Sequence, residues 1–117
     1  MEDVVIVDDD EIRRFINPDY LYDDGRISPS AYVTKDMSLD LCRLRTLEES
    51  KAAAKPGWGQ TEFRVAVLTS LNHRVVYDPI KDDPELADNP AHCCVPGKLT
   101  GSQAKKVRDA ARCVYRP

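Results

Sequence analysis

Alternating apolar and polar residues predict several short β-strands. The stretch EIRRFI sets Arg14 on the same strand face as two isoleucines. The stretch MSLDLC alternates most cleanly, with three apolar residues on one face and Ser38, Asp40 and Cys42 on the other. Further strands are predicted for ISPSAYV, TEFRVAVLTSL, HRVVYDPI and AHCCV, the first of them limited to an edge by Pro29.

Two segments have the character of helices. Thr46 and Glu49 form a capping box before LEESKAAAK, and Pro56-Gly57 ends that helix. A final helix, SQAKKVRDAARCVY, begins after Thr100 or Ser102 and repeats apolar residues at helical spacing. The order of strands, helix, strands and helix predicts an α+β fold, in which two helices pack on a mostly antiparallel sheet.

The length of 117 residues predicts one domain, residues 1–117. Residues 1–10 are an acidic segment that either forms a strand or is partly mobile. Hydrophobic residues are 42% and charged residues 32%, an ordinary balance for a globular protein. Because the chain has neither a signal-peptide pattern nor an apolar run that spans a bilayer, we expect a cytoplasmic protein with no membrane partner.

The stretch NPAHCCVPG, residues 89–97, raises the question of a metal site. On a strand, His92 and Cys94 share one face, whereas Cys93 points to the core. A zinc site needs four ligands, and Cys42 and His73 complete the set only if the sheet brings them close. We therefore favour a core strand without metal or other cofactor, and free thiols throughout. Cys93 and Cys113 are expected to be buried apolar groups.

Arg14 is flanked by core residues, so it either extends its guanidinium to solvent or pairs with an anion. The second alternative predicts a pocket for an anionic ligand, built from Arg14, Ser30, Asp40, His73 and His92. The first implies only a polar sheet face in contact with water. The residues alone leave both alternatives open.

Two other features suggest a binding surface. Trp58 lies between glycines, where it either anchors a partner or closes the edge of the core. Lys105, Arg108 and Arg112 form a basic stripe on the last predicted helix, which either contacts a charged partner or is simply solvated. The net charge of −3 disfavours general nucleic-acid binding.

The segments RRFINP, RISPSAY, DMSLD and NPAHCCVPG together resemble a pattern in small bacterial proteins that have no established activity. The resemblance covers most of the chain and directs attention to five positions: Arg14, Ser30, Ser38, Asp40 and His92. It implies no mechanism.

We therefore expect a small binding protein, with a protein partner first and an anionic ligand second. The alternative is a toxin- or defence-type enzyme that acts on RNA or a nucleotide through His92, His73, Asp40, Arg14 and Ser30. Oligomeric state is not predicted.

Overall fold

The computed structural model describes residues 4–117 and shows an α+β fold built on one antiparallel sheet. The sheet has six strands in the order β4-β5-β2-β1-β3-β6. They are β1 (Glu11–Ile16), β2 (Met37–Leu41), β3 (Gly59–Arg64), β4 (Val76–Tyr77), β5 (His92–Val95) and β6 (Arg112–Tyr115). The predicted fold class is thus confirmed.

One face of the sheet forms the hydrophobic core. Helix α2 (Val65–Thr69) and helix α3 (Gly101–Ala110) supply buried apolar side chains to this face. Tyr32 meets Phe63 edge-to-face at 5.9 Å between ring centroids, and its hydroxyl lies 2.7 Å from Thr61 Oγ1. Aromatic pairs of this geometry stabilise a core beyond the area that they bury.

The other face is only partly covered. Helix α1 (Leu47–Ala53) lies here and begins with the predicted Thr46–Glu49 capping box. Its buried Ser50 accepts a hydrogen bond from Arg13 at 2.8 Å. Arg13 is next to Ile12 on β1, so its side chain is on the side opposite the core.

Three predicted elements differ from the structure. ISPSAYV contains a 3₁₀ helix, Pro29–Tyr32, because the Ser28 hydroxyl caps its first turn and proline suits that position. TEFRVAVLTSL divides into β3 and α2, since the Arg64–Val65 step turns the chain. β4 pairs with β5 and makes no ladder with β3.

The predicted final helix is too long. It begins after Thr100, which forms a capping box with Gln103, but it ends at Ala110. Ala111 is extended, with φ −80° and ψ 147°, and the chain continues as β6 against β3. In residues 112–115, the backbone hydrogen bonds that β6 forms with the open edge of β3 outweigh the preference for helix that the spacing of apolar residues indicates.

The acidic N-terminal segment is not a strand between residues 4 and 10. Val4 and Ile6 instead pack against the core as extended chain, and Arg43 binds the Val5 carbonyl and Asp10. Residues 1–3 lie outside the described part of the chain. Among residues 4–117, no helix is both long and apolar enough to cross a bilayer.

Candidate ligand-binding site

The candidate site forms where β1 and β2 stop pairing. Their ladder has only two residue pairs, Ile12 with Leu41 and Arg13 with Asp40. Immediately beyond it, Arg14 Nη1 donates to the Ser38 carbonyl at 3.0 Å, and Arg14 Nε donates to the Ala31 carbonyl at 3.2 Å. A guanidinium group therefore joins the two strands where backbone pairing has ended.

Arg14 has spare hydrogen-bonding capacity. A guanidinium has five N–H donors, and the two bonds to carbonyl oxygens leave three of them for another acceptor. No carboxylate within residues 4–117 forms an ion pair with it. Burial lowers the pKa of Arg14 from its ordinary value, an effect that Tyr32 and Tyr20 oppose. The group stays charged in spite of this, because an arginine retains its proton in proteins.

Arg14 is a lining residue of two cavities. The large cavity, of about 390 Å³, lies between β1, β2, β5 and the segments that contain Lys55, Trp58, Ile80 and Leu86. The small cavity, of about 170 Å³, reaches toward Asn17, Tyr20 and Ser30. Arg14, Phe15 and Trp58 line both cavities. The large cavity falls within the size range of small-molecule sites.

Trp58 lines both cavities. It is half-buried, and Lys55 Nζ lies 5.3 Å from the centre of its ring. Lys55 forms no ion pair with any carboxylate that the structure describes, so a second uncompensated cation lines the large cavity. Trp58 thus lies at a cavity wall, and its role as an anchor for a partner stays a prediction.

Asp40 lines the large cavity, and each of its carboxylate oxygens accepts a hydrogen bond from another side chain. Its Oδ2 accepts from Arg45 Nη1 at 3.0 Å, and its Oδ1 accepts from Asn89 Nδ2 at 2.7 Å. The carboxylate is buried, with its charge balanced by Arg45. Asp40 thus holds Asn89 in place beside the large cavity.

His92 lies across the sheet from Asp40 in the register of β5 and β2. Its Nδ1 is 2.7 Å from the Asp78 carbonyl oxygen, which only accepts hydrogen bonds, so Nδ1 bears the proton. The Asp78 carboxylate is farther away, at 3.7 Å. In the neutral ring, Nε2 is consequently an acceptor, and His92 is among the residues that line the large cavity.

The structure brings together only part of the predicted pocket. Asp40 and His92 line the large cavity from the face opposite the core. Arg14 lines both cavities, but strand alternation puts its side chain on the core face with Ile12. Ser30 lines the small cavity. His73 is elsewhere: its Nε2 contacts Gln103 of α3 at 3.0 Å, on the core side of the sheet. Its assignment to the pocket is wrong because α2 turns the chain away before residue 73.

The weak metal alternative also fails. Across residues 4–117, no three histidine, cysteine or acidic side chains are grouped as metal ligands. His73 points to α3, whereas His92 and Cys94 lie on the opposite face of the sheet from Cys93. Cys93 is buried as expected, but Cys113 is exposed on the edge strand β6, contrary to the prediction.

The basic stripe is broken by the end of α3. Lys105 and Arg108 are on the helix, but Arg112 is on β6 and binds Glu11 and Glu62. Arg108 pairs with Asp109 and reaches the Ile27 carbonyl. The predicted row of free cations does not form.

Sequence reasoning missed Phe15, Lys55 and Asn89. Phe15 had the pattern of an ordinary strand residue, and Lys55 that of a helix end. The only available signal was the proximity of Lys55 to Trp58 in KPGW. Comparison with protein families, curated proteins and solved structures gives no match to this chain.

Proposed function

We propose that this protein binds an anionic ligand at Arg14, a residue that lines both cavities. The observation that supports the proposal is the unused donor capacity of a partly buried guanidinium without a carboxylate partner. Arginine forms its strongest hydrogen bonds with carboxylate and phosphate oxygens, often two at once. Such an anion would also offset the burial that lowers the pKa of Arg14.

The charges around the cavity favour the same ligand. Arg14 and Lys55 are the two lining cations without a described carboxylate partner. The lining acid, Asp40, is compensated by Arg45 and Asn89. The acidic residues of the loop 81–88 are exposed, and none of them lines the cavity. An entering anion therefore meets uncompensated positive charge and little repulsion.

An anionic ligand has better support than a protein partner, because the basic stripe, one of the two features that suggested a protein partner, does not form. Binding also has better support than catalysis. The pocket predicted for catalysis is incomplete, because Asp40 is held by Arg45 and Asn89 and His73 lies on the core side of the sheet.

Inorganic phosphate is the simplest probe, titrated at constant ionic strength and followed by calorimetry and by the fluorescence of Trp58, the only tryptophan. Arg14→Gln should weaken binding by about tenfold or more, since a hydrogen bond to a charged group is worth about 1.5–3 kcal/mol. Arg26→Gln is the matched control, because Arg26 is exposed and pairs with Asp24 outside both cavities.

Both variants are first checked for folding by circular dichroism. Lys55→Gln provides a second test, because Lys55 is exposed and its loss leaves the core intact. Equal affinity of wild type, Arg14→Gln and Lys55→Gln for phosphate, or an absence of binding by the wild type, would overturn the proposal.

A further inference from the structure

We infer that the large cavity binds a small aromatic carboxylate that bears a hydroxyl group. Lys55 attracts the carboxylate, Phe15 and Trp58 pack against the ring, and His92 accepts a hydrogen bond from the hydroxyl. The inference goes beyond the proposed function, because Phe15 and His92 lie on the opposite side of the sheet from the Arg14 side chain.

The floor of the large cavity is the sheet face opposite the core. Phe15 of β1, Ser38 of β2 and His92 of β5 line the cavity, and each is next to a core residue on its strand. The strands β5, β2 and β1 are adjacent, so the floor spans two strand spacings, or about 10 Å. This width suits a single ring with a substituent at each end.

Helix α1 bounds the floor on one side. Its Ser50 accepts a hydrogen bond from Arg13, which places the helix on the same face as Phe15. Lys55 and Trp58 follow the helix and line the cavity, with Lys55 Nζ 5.3 Å from the centre of the Trp58 ring. This side of the cavity therefore combines an aromatic surface with an ammonium group that no described carboxylate neutralises.

The base of the loop 81–88 bounds the other side. Asn89 Nδ2 donates to Asp40 on the floor at 2.7 Å, which places this part of the chain on the same sheet face. Ile80 and Leu86 line the cavity here. A ligand between the two sides thus meets an aromatic and cationic surface on one side and aliphatic side chains on the other.

The chemistry of these groups selects the ligand class. Apolar walls with a few polar groups are typical of small-molecule sites, and about 390 Å³ is near the lower limit of their size. One ammonium group balances a carboxylate, whereas a phosphate monoester carries about −1.5 to −2 charges. His92 Nε2 is an acceptor without a partner in residues 4–117, so it suits a ligand hydroxyl.

Calorimetry with matched ligands tests each contact at neutral pH and one ionic strength. The probes are para-hydroxybenzoate, its uncharged amide para-hydroxybenzamide, benzoate and cyclohexanecarboxylate. Wild type should bind para-hydroxybenzoate about threefold or more tightly than the amide and than benzoate, because an ion pair or a hydrogen bond contributes about that factor. Benzoate should exceed cyclohexanecarboxylate about threefold, because only benzoate makes aromatic contacts.

Lys55→Gln should weaken para-hydroxybenzoate about threefold or more and leave the amide unchanged. Lys51→Gln is the matched control, because Lys51 Nζ also lies over an aromatic ring, 5.0 Å from the centre of Tyr115, but lines neither cavity. Trp58→Leu should weaken both ligands about threefold or more. Phe15→Leu replaces it if Trp58→Leu does not fold by circular dichroism.

His92→Phe should abolish the preference for para-hydroxybenzoate over benzoate. Wild type that binds none of the probes, or that binds para-hydroxybenzoate no more tightly than its amide, overturns the inference. Equal affinity of wild type and Lys55→Gln for para-hydroxybenzoate does so as well.

The effect of Arg14→Gln separates this inference from the proposed function. Arg14→Gln should leave para-hydroxybenzoate affinity unchanged. A loss that occurs with Arg14→Gln and not with Lys55→Gln overturns the inference and supports the proposed function, since the carboxylate is then at Arg14. Phosphate affinity that Arg14→Gln does not alter rejects the proposed function alone.

Discussion

Arg13 on β1 and Glu62 on β3 face each other across the sheet, with Arg13 Nε 2.7 Å from a Glu62 carboxylate oxygen. Only 4% of the Arg13 side chain and 14% of the Glu62 side chain are exposed. Arg13 Nη1 also donates to Ser50 Oγ and to the Arg45 carbonyl. This pair therefore fastens α1 and the segment after β2 to the sheet, beside the large cavity.

Glu62→Ala should lower the free energy of unfolding by about 3 kcal/mol, because it leaves the Arg13 cation buried without its carboxylate. Urea unfolding at neutral pH measures the change. Glu48→Ala is the control: Glu48 is exposed and pairs with Lys51 at 3.3 Å, so its loss should cost below about 1 kcal/mol. Similar losses for the two variants would show that the Arg13–Glu62 pair is solvated.

Gln60 is fully buried, and neither its Nε2 nor its Oε1 has a hydrogen-bond partner. A buried amide without partners costs about 1–3 kcal/mol. Gln60→Met keeps the side-chain length and removes both polar atoms, so it should raise the free energy of unfolding by about 1 kcal/mol or more. A loss of stability in the same urea experiment would instead indicate that an ordered water binds the amide.

The central strands follow from the sequence because their apolar faces repeat with a period of two and meet one core. β1, β2 and β5 show this. The pattern fails where tertiary contacts decide between similar local preferences. Residues 112–115 continue the helical spacing of α3, yet they complete the open edge of β3, and residues 61–71 change from strand to helix without a turn residue.

The residues of the candidate site, like the strands, can be predicted from the sequence only in part. The strand pattern places Arg14 among core residues and Asp40 beside a polar face, and the structure puts both at the large cavity. The sequence offers no indication that Asn89 and Arg45 occupy both oxygens of Asp40, because these contacts join segments far apart in the chain. The contact of His73 with Gln103 also joins distant segments, so the sequence does not predict the position of His73.

The four thiols should react at different rates. Burial raises the pKa of Cys42 and of Cys93 to about 12, and it raises the pKa of Cys94 as well. Cys113 is exposed on β6. Because the thiolate is the reactive form, iodoacetamide at pH 8 should modify Cys113 first and Cys93 last. Mass spectrometry of samples taken over time gives the order in which the cysteines are modified. In a urea-unfolded sample this order should disappear.

Alkaline pH should weaken the fold. Cys42 and Cys93 have pKa values of about 12 when folded, against an ordinary 9.0, so the folded state holds protons that the unfolded state releases. Burial raises the pKa of Tyr32 in the same direction. This stabilisation is complete below about pH 9 and is lost as pH rises toward 12. A urea midpoint that stays constant from pH 8 to pH 11 would contradict these shifts.

The loop 81–88 should depend on Asn89 for its position over the large cavity. Ile80 and Asn89 exchange two backbone hydrogen bonds at the base of this loop, and Asn89 Nδ2 donates to buried Asp40. Residues 81–88 are all exposed, with Leu86 56% exposed at the cavity. Asn89→Ala removes a donor from a buried carboxylate, which costs about 1–3 kcal/mol.

The same substitution should speed cleavage by a protease within residues 81–88, because a loop with few packed contacts opens locally once its anchor is lost. Asp88→Ala is the control, since Asp88 is exposed and its Oδ1 accepts only from the nearby Asp82 N–H. The rate of cleavage next to Lys81 by trypsin should rise several-fold for Asn89→Ala and change little for Asp88→Ala. Equal rates would mean that the Asp40–Asn89 contact does not hold the loop, and that the large cavity keeps its shape without it.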